Sequence, residues 1–296
     1  MKEAAMDKPK ITQAMIDAYD EYTHLTLDRR DFMRKLQLLA GSAGAAAAIA
    51  PLIGANAAQA EIVAPDDERL ETTTTTYRGA PGEISAYIAA PKDRPGKLPT
   101  VIVIHENRGL NDHIKDVTRR MALEGFLAIA PDLLSPSGGT PANEDQARDD
   151  ISKLDQPMTT SNLIAAMAFL RTHPRSTGAI GAVGFCWGGK QVNLLAVAAP
   201  ELKAGVAYYG AQPPLEDVAK IKAALLLHYA GLDDRINKGI DAFKQALDAD
   251  KKDFQIFIYD GVNHAFNNDT SAARYDKKAA DLAWSRTVDF LKQKLV

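Results

Sequence analysis

The run Gly181-Ala-Val-Gly-Phe-Cys-Trp-Gly-Gly-Lys190 constrains this chain more than any other stretch. A β-like segment, Ala179 to Phe185, leads into it, and a helical pattern, Lys190 to Ala199, leads out. Between them, Gly184-Phe185-Cys186-Trp187-Gly188 sets a glycine two residues to either side of a cysteine. This is the pattern of a sharp strand–turn–helix elbow, in which the central side chain is pushed out of a sheet. A Cβ at either glycine would meet neighbouring backbone. The helix after the turn aims its first N–H groups at the central residue, which lowers a thiol pKa and offers donors to a developing oxyanion. A solitary cysteine is more often a small, inert, buried apolar side chain. Set in this elbow, Cys186 reads as a nucleophile.

The remainder of the chain supplies a sheet for such an elbow. Thr100-Val-Ile-Val-Ile104 is a short continuous β-branched run, the signature of a parallel strand covered on both faces. A helical pattern (Asn111 to Glu124) and a second buried strand (Phe126 to Ala130) follow. The alternation continues through helix Thr159–Thr172, the elbow strand and helix, and strands Ala204–Tyr209 and Ala224–Tyr229. Helix Ile236–Asp248, strand Phe254–Tyr259 and helix Tyr275–Lys292 complete it. Upstream, Leu70–Tyr77 and Glu83–Ala90 read as a hairpin. Strands alternating with helices predict an α/β fold with a mostly parallel central sheet and helices on both faces. Reactive groups then belong at the carboxyl ends of the strands.

Four strand ends carry them. His105-Glu106-Asn107-Arg108-Gly109 follows the Thr100 run, and the Cys186 elbow follows the next segment. Gly231-Leu-Asp233-Asp234-Arg235 follows the strand ending at Tyr229, and Gly261-Val-Asn-His264-Ala-Phe266 follows the strand ending at Tyr259. The order nucleophile, acid, histidine suits a catalytic triad. An imidazole takes or holds the thiol proton, and a carboxylate fixes its tautomer and stabilises its charge. Tyr208 and Tyr209 end a strand and are expected to pack. His228 lies in an apolar run and is expected to be a satisfied buried histidine.

From about Thr72 to the C-terminus the sequence resembles the dienelactone hydrolase (carboxymethylenebutenolidase) family. Gly184-Phe-Cys-Trp-Gly-Gly189, Gly231-Leu-Asp233 and Asn263-His264-Ala-Phe266 carry the resemblance. It implies an α/β-hydrolase fold and a Cys186–His264–Asp233 triad, with Asp233 rather than Asp234 as the acid. It also implies a glutamate, Glu106, that contacts the resting thiol and shifts when substrate binds. The oxyanion donors would be the backbone N–H groups of Trp187 and Asn107. The implied activity is hydrolysis of a small activated ester or lactone through an acyl-cysteine, with no cofactor. Acyl transfer on the same triad and a non-catalytic periplasmic binding protein of the same fold are the alternatives. Family members carry an arginine four residues after the catalytic histidine, which helps hold a substrate carboxylate; Asn268 stands there in this chain. Neutral substrates are therefore expected to be preferred, unless Arg108, Arg148 or Arg274 reaches the pocket.

Composition excludes other classes. A formal net charge of −3 favours neither nucleic acid nor an anionic membrane surface. One cysteine forbids a disulfide within the chain, and six scattered histidines show no zinc-like spacing, so no metal site is expected. Residues 1–60 differ in kind. Asp28-Arg29-Arg30-Asp31-Phe32-Met33-Arg34-Lys35 resembles the twin-arginine export motif, an uncharged Ala/Gly-rich stretch runs from Leu36 to Ala58, and Ala58-Gln59-Ala60 is a small-x-small cleavage pattern. The expectation is a cleaved export signal over 1–60, a single domain over 61–296 in the periplasm, and no stable membrane insertion after cleavage. Residues 1–27 are a longer lead than such signals usually have.

Overall fold

The computed structural model describes residues 10–54 and 61–296. Ala58-Gln59-Ala60 lies outside the described residues.

Eight strands form one sheet in the order β1-β2-β4-β3-β5-β6-β7-β8. β1 (Leu70–Arg78) and β2 (Glu83–Pro91) are the antiparallel hairpin, and β2 also runs antiparallel to β4 (Leu127–Pro131). From β4 onward every neighbour is parallel: β3 (Leu98–Ile104), β5 (Ser176–Phe185), β6 (Ala204–Tyr208), β7 (Ala224–Ala230) and β8 (Phe254–Tyr259). Alternation along β3 divides the core. Val101 and Val103 join one buried cluster with Ile114 and Met121 of α4 (Asp112–Leu123) and Leu291 of α10 (Lys277–Leu295). Ile102 and Ile104 join the other, with residues of α6 (Gln156–Thr172), α7 (Trp187–Ala198) and α9 (Ile240–Ala249). Both faces of the sheet are thus covered, as continuous apolar strands require.

Local chemistry sets the element ends. Asn111 caps α4 by accepting from the Ile114 N–H at 3.1 Å, and Asp276 caps α10 through the Ala279 N–H at 2.8 Å. The helical pattern over 236–248 is two helices, α8 (Asp234–Asn237) and α9, interrupted at Gly239. A Cβ on Gly239 would come within 2.3 Å of Gln212 Oε1. Helix α5 (Glu144–Ser152) has no counterpart in the sequence reading. It is strongly charged and buries only Ala147, Arg148 and Ile151, too few apolar positions to show a helical stripe.

The N-terminal residues form α1 (Gln13–Thr23), α2 (Arg29–Ala40) and α3 (Ala43–Ile53) around a small core of their own. Tyr22 stacks on Phe32 with ring centroids 4.9 Å apart, beside Met15, Leu36, Ile49 and Ile53. Among the described helices none is long and apolar enough by itself to cross a membrane. α2 and α3 reach that length and composition only together, and they are bent by 111°.

Candidate active site

β5 ends at the elbow and α7 begins immediately after it. Cys186 adopts φ +55° and ψ −114°, a backbone state that costs a non-glycine residue of order 1–3 kcal/mol. The surroundings hold it there: its N–H donates to the Tyr208 carbonyl at 3.0 Å. A Cβ on Gly184 would lie 2.2 Å from the Gly188 carbonyl oxygen, and one on Gly188 only 2.4 Å from that of Ile104. Both flanking positions therefore require glycine, for backbone approach rather than flexibility.

His264 stands in the loop after β8 and Asp233 in the loop after β7. His264 Nδ1 is 2.5 Å from Asp233 Oδ2, and Asp233 Oδ1 caps α8 by accepting from the Ile236 N–H at 3.3 Å. Asp234 points to solvent. The Asp233 contact spends Nδ1 and leaves His264 Nε2 without a partner among the described residues, beside the thiol. Burial raises the Cys186 thiol pKa, but the charges of His264 and then His24, with the His24 Nε2 contact at 3.5 Å, outweigh it and hold the thiol at about 6. Burial likewise opposes charge on His264. Asp233 first, then Cys186, overcome it and raise the imidazole well above its usual value. Asp233 follows the reverse sense: burial raises it, and His264 brings it below the usual carboxylate range. The three side chains form a thiolate–imidazolium–carboxylate array.

Glu106 is buried at the end of β3. Its Oε2 accepts from the Asn268 side-chain amide at 2.7 Å and its Oε1 from the Tyr209 hydroxyl at 3.4 Å, and it borders the same small cleft as Cys186 and His264. Asn107 borders that cleft too, with its side-chain amide donating to the Thr23 carbonyl at 2.7 Å. The Trp187 ring stacks on His105 at 5.2 Å and lines a cavity of about 180 Å³ that opens on Cys186. Tyr208 packs, while Tyr209 also lines the cavity. His228 is fully buried and satisfied by Tyr259 Oη at 2.9 Å and Thr287 Oγ1 at 3.1 Å, and burial holds it neutral with a pKa of about 3.

Sequence reasoning missed what lies over this site. His24, just after α1, brings Nε2 to 3.5 Å from Cys186 Sγ and sets its ring edge-on to His264, with centroids 4.7 Å apart. Its Nδ1 lies 2.8 Å from the Asp20 carbonyl oxygen and 3.4 Å from the Asp20 carboxylate. Arg235 Nη2 lies 2.8 Å from His24 Nε2, a contact in which it donates while that ring is neutral. Arg148 Nη1 donates to the Tyr22 carbonyl at 3.3 Å, with the guanidinium over the Tyr22 ring. Nothing in the pattern around His24 marks it, because its partner Cys186 is 162 residues away. The ligand atoms of His24, Cys186 and His264 lie within 4.8 Å of one another, as do those of Asp20, Asp233 and His264. Sequence spacing could not show either grouping.

Arg148 and Arg235 line the cavity, and Arg108 and Arg274 border the cleft. The exception attached to the Asn268 expectation therefore applies: arginines from elsewhere reach the pocket, Arg148 paired with Asp149 and Arg108 with Asp145.

The model of the dienelactone hydrolase family matches residues 84–295. A protein of Methylorubrum extorquens named "Putative carboxymethylenebutenolidase" is 36% identical over 227 residues, covering 72% of this chain and 77% of the relative. One of the same name from Escherichia coli K12 is 32% identical over 247 residues, covering 78% and 90%. The crystal structure of a "Putative Dienelactone Hydrolase" from Klebsiella pneumoniae superposes with a TM-score of 0.69 at 29% identity, over 76% of this chain and 99% of that one. A dienelactone hydrolase structure from Anabaena variabilis, at 18% identity and a TM-score of 0.59 over 77% of this chain and 100% of that one, shares the fold. Family model, relatives and the Cys186–His264–Asp233 array agree, and the chain belongs to the dienelactone hydrolase family, hydrolases of carboxylic esters and lactones.

Proposed function

We propose that Cys186 attacks the carbonyl of an activated ester or enol lactone and carries the acyl group as a thioester. The observation that carries this reading is the 2.5 Å Asp233–His264 contact behind a thiol held at the tip of the elbow. Attack creates an oxyanion, for which the N–H groups of Trp187 and Asn107 are the proposed donors; in support, Trp187 opens α7 and both residues line the cavity beside Cys186. His264 protonates the departing alkoxide or enolate, then activates the water that releases the acid. A thiolate is readily expelled from a tetrahedral adduct, so good leaving groups are required and amides should be poor substrates. Glu106, expected to contact the resting thiol and to shift when substrate binds, is held here by Asn268 and Tyr209, which supports these as its partners in the shifted position. The test is a panel of activated esters and lactones with native protein and Cys186→Ala. Turnover by the native protein alone is expected, and full activity in Cys186→Ala would refute the assignment.

Residues 1–60 are further proposed to direct export of the folded chain by the twin-arginine route, leaving 61–296 as the mature domain. In support, Arg29 and Arg30 are exposed at the start of α2, accessible even with the chain folded. Replacing both by lysine should retain the precursor in the cytoplasm. Unchanged periplasmic delivery would count against the route.

A further inference from the structure

Two imidazoles, not one, face the Cys186 thiol, and each is held through Nδ1. His264 engages the Asp233 carboxylate, and His24 engages the Asp20 backbone carbonyl. Each ring is thereby oriented from behind, with Nε2 toward the sulfur. An imidazole fixed through its second nitrogen by a carboxylate or carbonyl is the outer-shell arrangement of zinc-binding histidines. His264 is only 5% exposed, and its Nε2 has no partner among the described residues. The separation of Cys186 Sγ from His24 Nε2 is 3.5 Å. Zinc bonds of about 2.3 Å to sulfur and 2.0 Å to nitrogen at a tetrahedral angle place those two atoms about 3.5 Å apart.

We propose that the full chain binds one Zn²⁺ ion through Cys186 Sγ, His264 Nε2 and His24 Nε2, which ties the N-terminal segment to the nucleophile and silences it. The zinc–sulfur and two zinc–nitrogen bonds form. The proton shared by Cys186 and His264, with that of His24 when its ring is charged, passes to solvent. No electron is transferred. The thiolate and the nearby Asp20 and Asp233 carboxylates offset the charge of the ion. The fourth position opens on the cavity bordered by Asn107 and Trp187, where water can complete a tetrahedron. One group opposes binding: the Arg235 guanidinium occupies His24 Nε2 at 2.8 Å. Its side chain is 36% exposed and its one carboxylate contact, Asp20, is at 3.9 Å, so it can swing into solvent as the ion enters. Because His24 lies within residues 1–60, the three-ligand site exists only in the unprocessed chain.

The test uses full-length protein freed of metal by a chelator, titrated with Zn²⁺ against a chromophoric competitor and separately with Co²⁺. The expected results are one equivalent per chain and a thiolate-to-cobalt charge-transfer band that disappears in Cys186→Ala. His24→Ala should weaken zinc by at least about tenfold, as loss of a ligand exceeds the 10–100-fold cost of losing an outer-shell partner at its lower end. Arg235→Gln, which removes the competing cation, should bind several-fold tighter than the native chain. Equal affinity in native protein and His24→Ala, or a cobalt complex without the thiolate band, would overturn the site. These readouts do not depend on turnover: a chain that binds zinc in this way but hydrolyses no ester even when freed of metal leaves the site standing and refutes the hydrolase mechanism alone.

Discussion

Two carboxylates stand side by side at 233 and 234, and only one reaches an imidazole. Asp233→Asn should remove the acceptor for His264 Nδ1 and lower turnover by roughly 10⁴, the scale seen when a triad aspartate is lost. Asp234→Asn, on the solvent side, should cost less than about tenfold; steady-state kinetics with one activated ester decides between them. The thiol offers a second test at this scale. Its pKa of about 6 is below the usual cysteine range, so the thiolate exists above that pH and is lost as pH falls through it. The alkylation rate of Cys186 should rise through pH about 6 and level off well before the roughly 8.5 of a free cysteine. The acid limb of kcat/KM should follow it. His24→Ala removes one of the two cations responsible and should move the alkylation midpoint upward. A native midpoint near the free-cysteine value would show that the ion pair does not form.

At the scale of elements, the elbow and the N-terminal helices make opposite demands on the nucleophile. The elbow presents it. Gly188→Ala places a methyl against the Ile104 and His105 carbonyl oxygens, which belong to backbone and cannot swing aside. A loss of about 1–3 kcal/mol or more in urea denaturation is expected, together with lost activity, since relief of the clash must separate α7 from β3. The N-terminal helices cover what the elbow presents, with Thr23 and His24 against Asn107 and Cys186. Residues 61–296 alone should therefore be alkylated at Cys186 by a bulky reagent faster than the full chain. If the uncovered state is about a tenth of the population or less, the difference should be about tenfold or more. Equal rates would show that the helices do not restrict access.

For the whole molecule, the alternation of buried strands and helices made the mostly parallel sheet legible, because a strand covered on both faces is a near-continuous apolar run, as β3 and β7 are apart from Thr100 and His228. The order Cys186, Asp233, His264 was legible for a related reason: each residue follows a strand, and parallel strands bring their carboxyl ends to one edge. What escaped has equally physical causes. Helix α5 has too few apolar positions to display a stripe, and α8 and α9 merge in periodicity because Gly239 is a tolerated helical residue until its close approach to Gln212 is seen. Residues 1–60 read as an export signal by composition, and apolar positions within that stretch also pack as α1, α2 and α3.

The sequence by itself determined the elbow, the chain order of the triad and the sheet that unites them. These depend on local backbone geometry and on periodicities that neighbouring residues encode. Only the tertiary structure decided that Asn268 holds Glu106, and that Arg108, Arg148, Arg235 and Arg274, from separate elements, border the cavity and cleft beside the nucleophile. It alone brought His24 across 162 residues to the thiol. Such contacts are fixed by how loops and terminal helices pack over the sheet, and no spacing along the chain carries that information.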